Sequence, residues 1–323
     1  MERVIRDTHV CVVGGAGFLG SHLVEHLVEE RHCRVLVIDN LVAGRREFVH
    51  PFADFEHADI CLSETHLRKL FEHYKVEYVF SYAAWPFVPT SFSRPLHVFN
   101  VNAVGALNVL NAAQEAGCRG ILQVGSAEVF GDQVGSISEN SPVTPHSSYG
   151  ASKAGIDFMC QAAWRERKTP VVVLRQFNCY GPRPLHRYVI PSIVEQLHQH
   201  GPLVRLGNNT RRDFQYATAA VEMAVELLEK EPWGEIFNMG SEESIEIYTL
   251  AHLVGELMGF SEITIEVDST RVRPWDIWSL HADCTKLYSL IGKRDRTPFR
   301  EGLQKTIDWF RQNGNTWRFP TYE

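Results

Sequence analysis

Thr8-His-Val-Cys-Val-Val13 leads directly into Gly14-Gly15-Ala16-Gly17-Phe18-Leu19-Gly20, and then into the periodic run Ser21-His-Leu-Val-Glu-His-Leu-Val28. The apolar run reads as a buried strand, the glycines as a turn, and the last segment as a helix packed on the sheet. Gly14 permits the tight turn, Gly17 lets the backbone approach a pyrophosphate at the helix N-terminus, and Gly20 brings helix and strand together. The spacing Gly-x-x-Gly-x-x-Gly differs from the commoner Gly-x-Gly-x-x-Gly. The strand before it and the helix after it therefore carry the assignment to a dinucleotide site.

From this unit outward, strands and helices alternate. A second apolar run, 34–38, ends in Asp39-Asn40, where a carboxylate reaches both hydroxyls of an adenosine ribose. Such a carboxylate repels a 2′-phosphate, so NAD is the expected cofactor, with Arg45 and Arg46 keeping NADP as the lesser alternative. Further strands are expected at 78–83, 120–124 and 171–174, with helices at 95–116 and 149–164. This order predicts an α/β fold, a Rossmann-type doubly wound parallel sheet covered by helices on both faces. After residue 178 the pattern changes to Pro-rich turns and helices at 188–200, 250–258 and 302–311, read as a smaller, interleaved C-terminal substrate lobe. The division expected is 1–177 with 212–235 for the NAD-binding domain, and 178–211 with 236–323 for the nucleotide-sugar-binding lobe.

Downstream of Gly125-Ser126-Ala127-Glu128-Val129-Phe130-Gly131 lies Tyr149-Gly-Ala-Ser-Lys153. Positions i and i+4 share a helix face, so the Lys153 ammonium is expected beside the Tyr149 ring. A neighbouring positive charge favours the phenolate and lowers a pKa that is ordinarily about 10, which would make Tyr149 a general base near neutral pH. An isolated Tyr-x-x-x-Lys is ordinarily an amphipathic surface pair. Its coincidence with a dinucleotide site and with the Ser126 hydroxyl points to redox chemistry on an alcohol.

These motifs resemble the extended short-chain dehydrogenase/reductases of the NAD-dependent nucleotide-sugar epimerase/dehydratase type, along nearly the whole chain. Further segments carry the likeness: Ala58-Asp59-Ile60, Ala83-Ala84, Asn102-Ala-Val-Gly105-Ala-Leu-Asn108, Gln176-Phe-Asn178-Cys-Tyr-Gly-Pro182, Arg212-Asp-Phe214 and Arg271-Val-Arg273-Pro274. The resemblance implies that Asp59 and Ile60 flank the adenine and that Ala83, Ala84 and Trp85 line the nicotinamide side, with Asn102 also at the cofactor. It implies Ser126, Tyr149 and Lys153 as a catalytic trio. Asn178, Arg212 and Arg273 would hold the diphosphate of a nucleotide sugar, next to Val88. It also implies a homodimer built from helices 95–116 and 149–164 as a four-helix bundle.

Composition fits a two-lobed enzyme, since 323 residues exceed the usual size of one core. No apolar run approaches the roughly 18 residues of a membrane span, and residues 1–7 lack the apolar centre of a signal peptide, so a cytoplasmic location without membrane attachment is expected. Seven cysteines without a Cys-x-x-Cys pair suit reduced thiols. A net charge of −7 argues against nucleic acid as a partner, and the adjacent Arg211 and Arg212 suit one diphosphate. His22 and His26 lie four apart but lack a third ligand, so no metal is expected and they read as polar-face residues. Cys179 reads as a small buried residue rather than an acid or nucleophile, and Trp275, Trp278 and Trp309 as packing of the lobe.

Oxidation of a sugar hydroxyl to a ketone acidifies the neighbouring C–H, and the remaining groups decide whether the ketone is turned over, dehydrated or decarboxylated. Glu128 decides here. Ser126-Ala127-Glu128 resembles the Thr-x-Glu element of sugar-nucleotide 4,6-dehydratases and decarboxylases, which makes 4,6-dehydration of an NDP-hexose, an N-acetylhexosamine among the candidates, the leading expectation. 4-Epimerisation is second. Decarboxylation is third, because no arginine stands near Val88-Pro89-Thr90 to await a carboxylate. The chain departs from the dehydratase pattern at Ala127, often acidic, at Ser126 for Thr, at Phe130 for Tyr, and at Thr218-Ala219 for an acidic pair. A non-catalytic NAD-sensing regulator on the same fold is the alternative of another class, and it would not need Ser126, Tyr149 and Lys153.

Overall fold

The computed structural model describes residues 4–184, 187–273, 275–293 and 297–313. The first half alternates as β1 (His9–Val13), α1 (Phe18–Glu29), β2 (Arg34–Asp39), β3 (Asp54–His57), α2 (Glu64–His73), β4 (Tyr78–Ser81), the short α3 (Thr90–Ser93) and α4 (Pro95–Phe99), then α5 (Ala106–Glu115), β5 (Gly120–Val124), α6 (Ser148–Arg167) and β6 (Val171–Gln176). The second half runs β7 (Asn178–Tyr180), α7 (Val189–His200), β8 (Leu203–Leu206), β9 (Arg211–Tyr216), α8 (Ala217–Glu229), β10 (Ile236–Met239), β11 (Ser244–Glu246), α9 (Ile247–Leu257), β12 (Thr264–Val267), β13 (Ser279–Leu280), α10 (Thr285–Ile291) and α11 (Phe299–Asn313).

Seven strands form one parallel sheet in the order β3-β2-β1-β4-β5-β6-β10. Side chains alternate across each strand, so an apolar run can feed two cores at once. Val10 and Val12 of β1 pack with Leu23, Leu27, Val221 and Leu228 of α1 and α8. Cys11 and Val13 of the same strand pack with Phe71, Val109 and Ile156 of α2, α5 and α6. That two-sided burial is why these strands read as continuous apolar runs. The strand order reverses between β1 and β4, and ligands of such sheets bind beyond the carboxyl ends of the strands at that switch point.

A second body has its own core, in which Ile193, Leu197, Leu250, Val254, Leu303 and Ile307 bring α7, α9 and α11 together. Its small sheet orders β11-β9-β13 with β7 beside β9, and β8 pairs with β12. The expected division shifts at three places. Residues 236–239 form β10 in the main sheet, and Leu287 of α10 joins the main core, whereas 212–216 belong to β9 in the small sheet. Ile236-Phe-Asn-Met239 is buried throughout but too short to betray a strand by periodicity. The expected helix 95–116 is also interrupted, by a π-helical turn at Asn100–Gly105. Wide turns of this kind let a side chain leave the helical register, and Asn102 uses it to bond inward.

Three packing expectations need correction. Trp275 and Trp278 are 75% and 56% exposed and do not fill the lobe; Trp309 packs edge-on against Phe48 at 6.2 Å. His22 is buried, not polar-face: its Nε2 meets the Pro182 carbonyl at 2.9 Å and Arg183 lies against Nδ1. Burial and Arg183 lower its pKa to about 4, so it is neutral. Among the described residues no group of His, Cys, Asp and Glu is arranged to hold a metal.

Candidate active site

One cleft of about 1050 Å³ runs from the glycine turn to the second body. At its first end, Gly14 has φ +83°, and a Cβ there would sit 2.6 Å from the Ala83 nitrogen, so only glycine lets the turn touch the end of β4. Gly20, inside α1, packs directly under the Gly14 carbonyl. Gly17 occupies the N-cap of α1 and offers no side chain to the first-turn N–H groups, which leaves them for an anion. Phe18 and Leu19 line the same wall.

Asp39 ends β2 with one oxygen accepting the Ala16 N–H at 3.0 Å and the other the Leu41 N–H at 2.8 Å. Each oxygen keeps a lone pair for a ribose hydroxyl. Asn40 donates to Asp59 at 3.3 Å, and Asp59 with Ile60 forms the neighbouring wall. A dinucleotide fits this groove: uncapped N–H groups for a pyrophosphate, a fixed carboxylate for a ribose and a backbone that no Cβ obstructs. Arg45 pairs with Glu47 at 3.1 Å and Arg46 lies 4.5 Å over the Phe55 ring, so both have partners elsewhere than a 2′-phosphate.

Two residues expected at the cofactor stand behind the wall instead. Ala16 is fully buried and contributes through its N–H to Asp39. Asn102 is also fully buried; its amide accepts from Trp85 N at 2.6 Å and donates to the Trp85 carbonyl and to Ser152 Oγ, both at 3.2 Å. It ties the loop after β4 to α6, while Ala83, Ala84 and Trp85 themselves line the cleft.

The chemistry-bearing groups converge where β5 and α6 meet. Ser147 caps α6 by accepting the Gly150 N–H, which places Tyr149 in the first turn and Lys153 one turn later, both buried. Ser126 caps the short turn 127–129, accepting the Glu128 N–H at 3.2 Å, and its hydroxyl also bonds the Tyr149 phenol. Lys153 differs from the expectation. Its Nζ donates to the Val124 carbonyl at 2.9 Å, and burial pushes the Tyr149 phenol up to about 12 rather than down. Desolvation outweighs the favourable Ser126 bond, and Glu128 and Asp157 add to it. Burial lowers Lys153 to about 8, against the pull of Asp157.

Glu128 shares this end of the cleft. Burial raises its pKa, while the Arg273 and Arg212 guanidiniums oppose the rise. Arg212 is buried, donating to the Ile277 carbonyl at 2.8 Å and facing Asp276 at 3.5 Å. Arg211 does not join it. Strand alternation turns Arg211 outward to Glu246 at 3.0 Å, so the adjacent arginines do not form one diphosphate clamp. Asn178, Arg273 and Val88 line the cleft. Cys179 lies there too, its thiol raised by burial and bonded by Gln176, which suits an inert residue.

Sequence reading missed groups that enter from distant segments. Tyr188 packs into the cluster of Trp85 and Tyr149. Arg187 lies 5.3 Å over the Phe87 ring, so a cation does stand beside the 88–90 segment, supplied by a loop about 100 residues away. No local pattern signals either one. Asp276, two residues past Pro274 in the sequence, also lines the cleft and faces Arg212.

Comparison with known proteins agrees with this geometry. The model of the NAD dependent epimerase/dehydratase family matches residues 10–240. A dTDP-D-glucose 4,6-dehydratase of Mus musculus is 33% identical, covering 96% of this chain and 90% of that protein. Among solved structures, the dTDP-glucose 4,6-dehydratase of Streptomyces venezuelae with NAD bound is 28% identical with a TM-score of 0.87, covering 94% of this chain and 97% of that one. A UDP-glucose 4-epimerase of Thermotoga maritima with UDP-glucose is also 28% identical at a TM-score of 0.87, covering 94% and 99%.

Proposed function

The chain belongs to the NAD-dependent epimerase/dehydratase family, and from that premise we propose that it oxidises the C4 hydroxyl of a nucleotide sugar and then removes water across C5 and C6. The observation that carries this reading is the position of Glu128, a second proton-transfer group on the same turn as Ser126, whose hydroxyl bonds Tyr149. NAD, when bound, supplies the acceptor for the C4 hydride and the donor that returns it to C6. Tyr149 takes the proton of the 4-hydroxyl, assisted by Ser126, with Lys153 as the adjacent positive charge. Glu128 then takes the C5 proton, acidified by the 4-ketone, and as a carboxylic acid passes it to the departing 6-hydroxyl. Ala127 offers no second acid, so Glu128 serves both steps. A solvent proton arrives at C5, balanced by the one Tyr149 releases. Asn178, Arg212 and Arg273 hold the diphosphate.

Ala127 favours a second reading, 4-epimerisation, in which the ketone turns over and is reduced on its other face. Incubating the protein with UDP-, GDP-, CDP- and dTDP-sugars and weighing the products separates the outcomes. Loss of water supports dehydration. An unchanged mass with an altered sugar supports epimerisation, and loss of carbon dioxide supports decarboxylation.

Calorimetry is expected to find NAD bound more tightly than NADP, with Asp39→Ala narrowing the difference because a repelling charge is gone. NADP binding at least as tightly would overturn the role given to Asp39. A homodimer is proposed as well. Phe92, Leu96, Phe99, Val104, Phe158 and Met159 are exposed apolar side chains along α3, α4, the π turn and α6. Light scattering is expected to give twice 36.8 kDa at micromolar concentration, and a persistent monomer would count against that surface. A cytoplasmic location suits the seven cysteines, all of which are thiols. Among the described residues no helix is long and apolar enough to cross a membrane.

A further inference from the structure

Directly behind the reacting groups lies a buried ion pair that the chemistry above does not use. Asp157, one helical turn after Lys153 on α6, has no exposed surface, and its Oδ2 accepts from Arg175 Nε of β6 at 2.8 Å. Its other oxygen, Oδ1, is buried without a hydrogen-bond partner. That oxygen faces the turn after β5, where a Cβ on Gly125 would stand 3.0 Å from it and 3.1 Å from Arg175 Cγ. The preceding carbonyl, of Val124, is the one that holds Lys153 Nζ. Asp157 and Lys153 thus bracket one peptide. Leaving a carboxylate oxygen dry is costly, and a structural ion pair gains nothing from it.

We propose that Asp157, locked by Arg175 beneath the Val124–Gly125 turn, is a positioning residue that fixes the Lys153 ammonium beside Tyr149. The proposal rests on the catalytic reading of Tyr149 and Lys153. Gly125 is part of the device, since any side chain there would separate the carboxylate from the turn. The carboxylate is the near counter-charge of the lysine. The other charged or titratable groups that act on the Asp157 carboxylate or on Lys153 are Arg175 on β6 and Tyr149 and Cys160 on α6.

The test is direct titration of Lys153 in the NAD-loaded protein by NMR of labelled lysine side chains, its resonance identified by loss in Lys153→Met. In Asp157→Asn the midpoint is expected to fall by about one to three pH units, the size of a neighbouring-charge effect. Because that variant strands the Arg175 charge and can unfold, Asp157→Asn with Arg175→Met removes both ions and keeps the volume. A Lys153 midpoint still below wild type in the folded double variant supports the proposal. A wild-type midpoint in either variant overturns it. The readout needs no turnover, so it separates from the catalytic reading: an unaltered midpoint with Lys153→Met inactive removes only Asp157's role, whereas an active Lys153→Met removes both.

Discussion

Tyr149→Phe is expected to lose about 10²- to 10⁴-fold in turnover while the fold stays intact. The ring packs with Trp85 and Val98 and remains after the substitution, so only the oxygen and its Ser126 bond are lost. Burial holds the phenol up to about 12. Its use as a base therefore depends on positive charge brought close, and Lys153 is the protein's own source. Lys153→Ala should fall into the same range for that reason. Turnover beside thermal melting checks both. Near-normal turnover in a well-folded Tyr149→Phe protein would refute the proton-transfer role.

Glu128→Gln is the second large effect, and its signature is a block after oxidation rather than a loss of everything. The amide is nearly isosteric, so the turn capped by Ser126 and the neighbours Arg212 and Arg273 stay in place. Only basicity is removed. Addition of substrate is expected to raise the absorbance of reduced cofactor, because C4 oxidation proceeds, yet no water leaves. Release of product should fall about 10²-fold or more. A Glu128→Gln enzyme that forms product like the wild type would shift the assignment to 4-epimerisation.

Legibility in the sequence depends on how local each feature is. The strand, glycine turn and helix at 8–28 involve neighbouring residues, and both sheet faces leave their mark as unbroken apolar runs. Tyr149, Lys153 and Ser126 were legible because two short segments carry them. What required the fold is whatever crosses the chain. Arg187 reaches Phe87, and the buried Lys153 ammonium takes the Val124 carbonyl as its acceptor, a partner 29 residues away that helical spacing cannot reveal. Spacing placed Arg211 next to Arg212, but strand alternation sends them to opposite faces. Asn102 was placed at the cofactor with its motif, whereas the π turn draws its amide into the wall behind.

The most direct measurement is the mass of the product formed by the wild-type enzyme in deuterated solvent. Proton removal at C5 by Glu128, with loss of the 6-hydroxyl, predicts a sugar nucleotide lighter by one water and carrying one deuterium at C5. A product of unchanged mass without deuterium at C5 would contradict it.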